Sequence, residues 1–308
     1  MTDPGLVSVV IATYNGASRI AAAIDSVRSQ TYPSWEVIVA VDGSSDNTAE
    51  VVQGFGDKRI SVVSLPVNQG PAAARNAAFA ETKGEFIAYL DDDDAWLPDK
   101  LSTQVAMLSS DPDLGLVHGG VIDVMEDGRR LVRMPPRDAA SYRANLLRDC
   151  IALSTVVVRR SVLERMGGFE PSLRAFEDWD LWTRVLRVYP SAFVPDVVST
   201  TNQRSTSAMH GSSVYDLARA RARVVRRRWR TLRAHGLGRR AIAYHHYFVG
   251  GLLLVHGRHG EARRRARRSL RLRPSMRACV LYGMSFLGAG PSGVAWRSLQ
   301  RLRRLVRG

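Results

Sequence analysis

Hydrophobic positions in the first ninety residues come in short unbroken runs. Residues 6–12 read Leu-Val-Ser-Val-Val-Ile-Ala, residues 35–41 Trp-Glu-Val-Ile-Val-Ala-Val, residues 60–65 Ile-Ser-Val-Val-Ser-Leu and residues 86–90 Phe-Ile-Ala-Tyr-Leu. Each run has the length of one strand and is rich in β-branched or aromatic residues, which predicts strands covered on both faces in a mostly parallel sheet. Between the runs the spacing turns helical. Ile20, Ile24 and Val27 share a stripe within 17–30, a short helix is predicted over 49–54 after the capping-rich loop 42–48, and an alanine-rich helix runs to Lys83. Strands alternating with helices predict an α/β fold, an open doubly wound sheet with right-handed crossovers, in which ligands bind beyond the carboxyl ends of the strands. The loops 13–16, 42–45 and 91–94 all lie at such ends and are expected to converge on one cleft.

After Pro98 the pattern is more mixed. A helix is predicted over 98–109, short strands near 114–118, 121–125 and 129–133, a helix around 139–148 and a strand near 155–158. Residues 161–169 predict a short helix closed by glycine. Residues 176–184 predict another, with Glu177, Asp178 and Asp180 in its first turn, where acids commonly complement the helix dipole.

The fourth apolar run stops at four consecutive carboxylates, Asp91 to Asp94, before resuming at Trp96. Desolvating even one unpaired carboxylate costs several kcal/mol or forces protonation, so the cluster is either a solvated turn or a cation site. Oxygen ligands at a strand end suit Mg²⁺ or Mn²⁺, which are usually held by one or two carboxylates together with substrate phosphates.

The chain has 308 residues, enough for one large or two modest domains. Its two cysteines, Cys150 and Cys279, match no zinc spacing and give no disulfide framework, and residues 1–12 lack the basic and apolar segments of a signal peptide, so a cytoplasmic setting is expected. Charge divides the chain. Residues 205–308 hold 24 arginines, no lysine, and only Asp216 and Glu261 as acids, a balance of +22 within a total of +15, so residues 1–204 carry −7. Two regions with different roles are expected: 1–204, split into a nucleotide-binding half 1–109 and an acceptor half 110–204, and a basic helical region 205–308.

Five stretches in order resemble the inverting family 2 glycosyltransferases of the GT-A nucleotide-sugar fold. They are Val9-Val-Ile-Ala-Thr-Tyr-Asn15, Val39-Ala-Val-Asp-Gly-Ser-Ser-Asp-Asn-Thr48, Asn68-Gln-Gly70 with Ala74-Arg-Asn76, Tyr89-Leu-Asp-Asp-Asp-Asp-Ala-Trp-Leu-Pro98, and Glu177-Asp178 before Leu181-Trp182. The resemblance covers roughly two thirds of the chain. It implies that Thr13, Tyr14 and Asn15 line the base and ribose of a nucleoside-diphosphate sugar, that Asp42 reads the base, and that Arg75 contacts nucleotide or diphosphate. It makes Asp91-Asp92-Asp93 the Asp-x-Asp element. Asp93 and then Asp91 are its implied ligands to Mn²⁺ or Mg²⁺, and Asp92 faces the nucleotide sugar, with the register open by one because four acids are consecutive. Asp178 would be the general base that deprotonates the acceptor hydroxyl. Val41 replaces the first acid of the family's Asp-Asp-Gly-Ser element. Taken singly, Asp42 also suits a helix cap, Arg75 a surface arginine and Trp96 the core.

The implied function is metal-dependent, inverting transfer of a sugar, UDP-linked in this expectation, to a glycan or lipid-linked acceptor in envelope polysaccharide synthesis. The competing class is a catalytically silent protein of the same fold serving as a membrane or partner adaptor. Another nucleotide-handling α/β enzyme would need a phosphate loop, and neither a Walker lysine motif nor Gly-x-Gly-x-x-Gly follows the first strand. His118 and His210 read mainly as structural. In the last third, 217–232 predicts one arginine-saturated helix and 244–274 a packed helical hairpin. Residues 278–296 carry no charge, but four glycines, a proline and two serines make them a turn between helices rather than a membrane span. Residues 297–307 set Leu299, Leu302, Leu305 and Val306 against arginines, which suits peripheral attachment to an anionic membrane surface at the inner face of the cell membrane. No nucleic-acid partner is expected, since no recognised module accompanies the arginines.

Overall fold

The computed structural model describes residues 3–125, 127–203 and 213–286. His210, the segment 297–307 and the end of the uncharged stretch 278–296 lie outside the described residues. The chain forms two compact units, one from its start to Asn145 and again from Asp149 through the last strand, the other from Leu146–Arg148 and the C-terminal helices.

The first unit is built on one nine-stranded sheet. Strands β1 (Asp3–Thr13), β2 (Trp35–Asp42), β3 (Ile60–Leu65) and β4 (Gly84–Asp91) form its parallel half in the order β3-β2-β1-β4. The other half is mixed. β8 (Val157–Arg159) pairs antiparallel to β4, and β6 (Leu116–Met125) joins β8 to β9 (Ser191–Gln203). The short β5 (Ala95–Trp96) closes the edge on β9, and β7 (Arg130–Arg133) hangs on β6.

Alternate residues of the central strands feed two separate cores. Val7, Val9, Ile11, Val37, Val39, Phe86 and Leu90 face α1 (Ile20–Arg28), α2 (Thr48–Gln53) and α4 (Lys100–Ser110). Val10, Ile38, Ile87 and Tyr89 face α3 (Pro71–Glu81), α6 (Arg160–Met166) and α7 (Glu177–Val185). Because both faces are covered, the strands read in sequence as continuous apolar runs.

Three expectations change in the first unit. The two strands near 114–118 and 121–125 are one strand, β6, whose register against β9 shifts around His118 and Gly120, so the Gly119-Gly120 pair that reads as a break is a bulge. The helix expected around 139–148 shrinks to α5 (Tyr142–Asn145). β9 was not expected at all, because Ser-Ala-Phe-Val-Pro-Asp-Val-Val-Ser-Thr-Thr-Asn-Gln carries a proline and little apolar continuity. His118 is fully buried beside Phe193, and burial pushes its imidazole down to about 4, so it is a neutral core residue.

The second unit is helical: α8 (Val214–Arg227), α9 (Trp229–Ala234), α10 (Gly238–Val255), α11 (His259–Leu272) and α12 (Met276–Met284). The single helix expected over 217–232 is thus two. The expected hairpin is α10 and α11, where Tyr247, Val249, Leu253 and Leu254 pack on Ala262, Ala266 and Leu281. Gly250 permits the close approach, since a Cβ there would sit 2.8 Å from Leu281 Cδ2.

Candidate active site

Parallel register brings the three predicted loops to one edge. Ala12 pairs with Asp91 and Thr13 with Val41, so β1, β2 and β4 end side by side. The first two loops are then stitched together. Asn15 takes a left-handed conformation with φ 47°, its amide donates to Ser44 Oγ at 3.0 Å, and its Oδ1 accepts from the Ser45 amide at 2.9 Å. The Gly16 amide donates to Thr48 Oγ1 at 2.9 Å. Gly16 must be glycine: an added Cβ would lie 2.0 Å from Thr13 Oγ1 and 2.8 Å from Asp92 Oδ2.

Asp42 is buried, and its two carboxylate oxygens accept from the amides of Gln69 at 2.7 Å and Gly70 at 2.8 Å. It therefore anchors the loop that leads from β3 into α3; reading a base would use its remaining lone pairs. Tyr14 is exposed beside these loops.

The four aspartates have four different environments. Asp91 is more open than Asp92, and its Oδ1 accepts from Arg75 Nη2 at 2.7 Å. Asp92 Oδ2 accepts from Thr13 Oγ1 at 2.5 Å and pairs with Arg19 Nη2 at 2.8 Å. Burial nevertheless raises its carboxyl, against the pull of those two partners. Asp93 has no cation in salt-bridge range among the described residues, and burial together with the charges of Asp91 and Asp92 pushes it up to about 6. Asp94 turns inward: Ser154 Oγ donates to its Oδ2 at 2.6 Å and the Asn202 amide to its Oδ1 at 3.2 Å. Asp94 is thus the residue that shapes the turn, while Asp91 and Asp93 remain to face a ligand.

Arg75 is deep in the unit, not on its surface. Nη1 donates to Glu177 Oε1 at 2.5 Å while Nη2 holds Asp91, and the guanidinium lies 5.5 Å from the Phe169 ring centre. One fork thus joins the end of β4 to the first turn of α7. The neighbouring Phe176, at φ 62°, begins α7 in a left-handed conformation that a bulky residue adopts only when its surroundings hold it. Beside Glu177, Asp178 is half-buried, and Trp179 donates its amide to Asp178 Oδ1 at 2.7 Å. Burial, with Asp149 and Glu177 nearby, pushes the Asp178 carboxyl well above the ordinary range, which makes it a stronger base once ionised.

Sequence reasoning passed over Arg19, Ser154, Glu177 as the partner of Arg75, and Asn202. Only Glu177 had a signal, its adjacency to Asp178; the others act across 60 or more residues or through a loop whose course one sequence does not reveal. Among the described residues no group of three His, Cys, Asp or Glu side chains could hold a metal by itself. The arrangement therefore fits an ion taken up by one or two carboxylates that completes its shell with phosphate and water; Asp93, which has no ion-pair partner among the described residues, and Asp91, whose Oδ1 alone is held by Arg75, repel one another and are the groups with charge to offer it.

A model of the family described as Glycosyl transferase family 2 matches residues 8–167, from β1 to the end of α6. The chain belongs to glycosyl transferase family 2. It is a glycosyltransferase, and its first unit has the GT-A fold expected from the sequence. Among curated relatives, it is 34% identical over 186 residues to the Escherichia coli UDP-Glc:alpha-D-GlcNAc-diphosphoundecaprenol beta-1,3-glucosyltransferase WfgD, across 60% of this chain and 71% of that one. It is 32% identical over 186 residues to the putative teichuronic acid biosynthesis glycosyltransferase TuaG of Bacillus subtilis, across 59% and 72% of the two chains. Among solved structures it resembles residues 1–349 of S. aureus TarS, with a TM-score of 0.55 at 17% identity over 95% of this chain and 91% of that one. It also resembles the mannosyltransferase PcManGT from Pyrobaculum calidifontis in complex with GDP-Man and Mn²⁺, with a TM-score of 0.60 at 21% identity over 97% and 85%.

Proposed function

We propose that this glycosyltransferase is an inverting, metal-dependent enzyme that moves a sugar from a UDP-sugar to a hydroxyl of a lipid-linked acceptor in the synthesis of a cell-envelope glycan. The observation that carries the reading is the Arg75 fork, which ties the acid turn to the helix bearing Asp178 and so sets a candidate leaving-group corner beside a candidate base. Asp178 takes the proton of the acceptor hydroxyl as that oxygen attacks the anomeric carbon. The bond from this carbon to the diphosphate breaks, and the nucleoside diphosphate leaves with the electron pair. One displacement inverts the centre and needs no covalent intermediate on the protein. Asp93 and Asp91 would hold Mn²⁺ or Mg²⁺, whose chemistry when bound is to offset charge on the leaving diphosphate. Asp92, fixed by Thr13 and Arg19, and the loop of Thr13, Tyr14 and Asn15 would border the nucleotide.

The acceptor class and the uridine preference follow from the relatives: WfgD is named for UDP-Glc and a diphosphoundecaprenol acceptor, and TarS has been solved with UDP-GlcNAc. PcManGT binds GDP-Man, so the base is the point to test. Thermal unfolding with a panel of UDP-, GDP- and dTDP-sugars, each with Mn²⁺, Mg²⁺ or chelator, separates the choices. A ligand present at 100 times its Kd stabilises the folded state by about 2.7 kcal/mol. A metal-dependent rise with UDP-sugars alone is expected. A rise with GDP-sugars, or one unaffected by chelator, overturns the corresponding part of the proposal.

A further inference from the structure

The helical unit carries charge that its own fold does not consume. In α11 the buried side is Ala262, Ala266 and Ser269, and the exposed side is Arg264, Arg267, Arg268 and Arg271. These four recur at i, i+3, i+4 and i+7 and so form one continuous stripe. α8 repeats the design: Leu217, Ala220 and Val224 are buried, and Arg219, Arg223 and Arg226 are exposed.

Only two acids exist between residues 205 and 308, Asp216 and Glu261. Asp216 is taken by Arg219 at 2.5 Å, and Glu261 by Arg258 at 2.6 Å and the Tyr215 hydroxyl at 2.8 Å. Glu261 lies within electrostatic reach of Arg264 but is already held by Arg258 and Tyr215, and no described carboxylate of the unit forms an ion pair with the α11 stripe. Like charges held this close persist only because water screens them, and they gain whenever an anionic surface replaces part of that water.

Aromatic side chains rim the stripe. Arg267 Nη2 donates to the Tyr282 hydroxyl at 3.2 Å, and the Arg263 guanidinium lies 3.6 Å above the Phe286 ring, which is 56% exposed. Tyr282 and Phe286 meet edge to face at 5.2 Å. Met276, at the start of α12, is 77% exposed. Exposed apolar groups beside arginine are the composition of a headgroup-layer contact, in which guanidinium forks engage phosphates while ring and thioether enter the acyl boundary. A stacked nucleic-acid base would need an open ring face, and the guanidinium already covers one face of Phe286.

We infer that the arginine stripe of α11, with Phe286 and Met276, docks the protein on a bilayer containing anionic phospholipid. The docking involves the second unit alone and is independent of the donor, metal and base assignments of the first.

The test is flotation of the full chain with vesicles of phosphatidylcholine alone and with vesicles in which a third of the lipid is phosphatidylglycerol, repeated in rising salt. The joint variant Arg264→Gln, Arg267→Gln, Arg268→Gln and Arg271→Gln is run beside the wild type after its circular dichroism has been matched. Wild type is expected on the anionic vesicles only, released by salt, and the variant is expected to partition at least about tenfold more weakly. Equal flotation on both lipids, no flotation, salt-independent binding, or a folded variant that floats like wild type each overturns the inference. So does a single-stranded RNA homopolymer that strips the wild type from the anionic vesicles at equal phosphate concentration. Should the variant not fold, Phe286→Ser and the salt series on the wild type still decide: undiminished flotation of the first together with salt-insensitive binding of the second overturns it.

Discussion

Replacing Arg75 with methionine tests the central contact of the site. Methionine keeps most of the packing against Phe169 and removes only the charge and the fork. The guanidinium is 7% exposed and Glu177 9%, so the substitution leaves a nearly buried carboxylate facing nothing, whereas Asp91, at 39%, can turn to water. Removing one partner of a buried ion pair costs about 3–5 kcal/mol, and the solvent-facing Asp91 arm adds little to that. For a unit of roughly 200 residues, each kcal/mol moves the midpoint by about 2–4 °C, so the unfolding transition should fall by about 6–20 °C. Thermal unfolding followed by circular dichroism measures it. The double variant Arg75→Met with Glu177→Gln removes the stranded charge and should recover at least about 1 kcal/mol of the loss, because residues in direct contact are not additive. A single variant within about 1 kcal/mol of wild type, or a double variant no more stable than the single, would refute the view that this fork holds the acid turn to α7.

Three further outcomes follow from the same geometry. Asp178→Asn should bind nucleotide sugar as wild type does, because the amide oxygen still accepts from Trp179, but lose about 10²–10⁴ in transfer rate; undiminished single-turnover transfer would remove Asp178 from the base role. Asp93 holds its proton more tightly in the folded state, at about 6 against 3.8 unfolded, so its contribution to metal-free stability is present at low pH and is lost as pH rises through that window. Bound Mn²⁺ competes with the same proton, so the Mn²⁺-dependent rise in Tm should disappear as pH falls below about 6, and Asp93→Asn should abolish that pH dependence. Gly16→Ala puts a methyl 2.0 Å from Thr13 Oγ1 and 2.8 Å from Asp92 Oδ2 and should cost about 1–3 kcal/mol in urea unfolding with a raised KM for donor; wild-type values for both would show that the loop has room.

The parallel half of the sheet was legible in the sequence because double burial writes itself as unbroken apolar runs, and the loops after β1, β2 and β4 could be placed from strand direction alone. What the sequence concealed was non-local. The sequence does not show that Arg75 is buried rather than on the surface, or that Asp91, 16 positions on, and Glu177, 102 positions on, hold it. The sequence leaves the register of the four consecutive aspartates open by one, and it is Ser154 and Asn202 that set Asp94 apart from the rest; Asp42, expected to read the base or cap a helix, is held by the amides of Gln69 and Gly70. β9 escaped notice because a strand with one polar face and a proline resembles a loop until a neighbour such as β6 supplies its register. The arginines of the last third were visible as composition; only helix phase separates those that pack, such as the buried Arg221, from those that face water.

The acid turn also has a history within each molecule. Asp94 is held by Ser154, 60 residues later, and by Asn202, 108 residues later, while Asn202 Nδ2 caps the Asp93 carbonyl. On the ribosome, strands β1 to β4 can pair as soon as they emerge, but the Asp93-Asp94 side of the turn at their carboxyl edge lacks its Asn202 contacts until β9 has been made. The segment 1–109 can thus fix Asp91 through Arg75 and Asp92 through Thr13 and Arg19, but it leaves Asp93 and Asp94 without the clamp of Ser154 and Asn202.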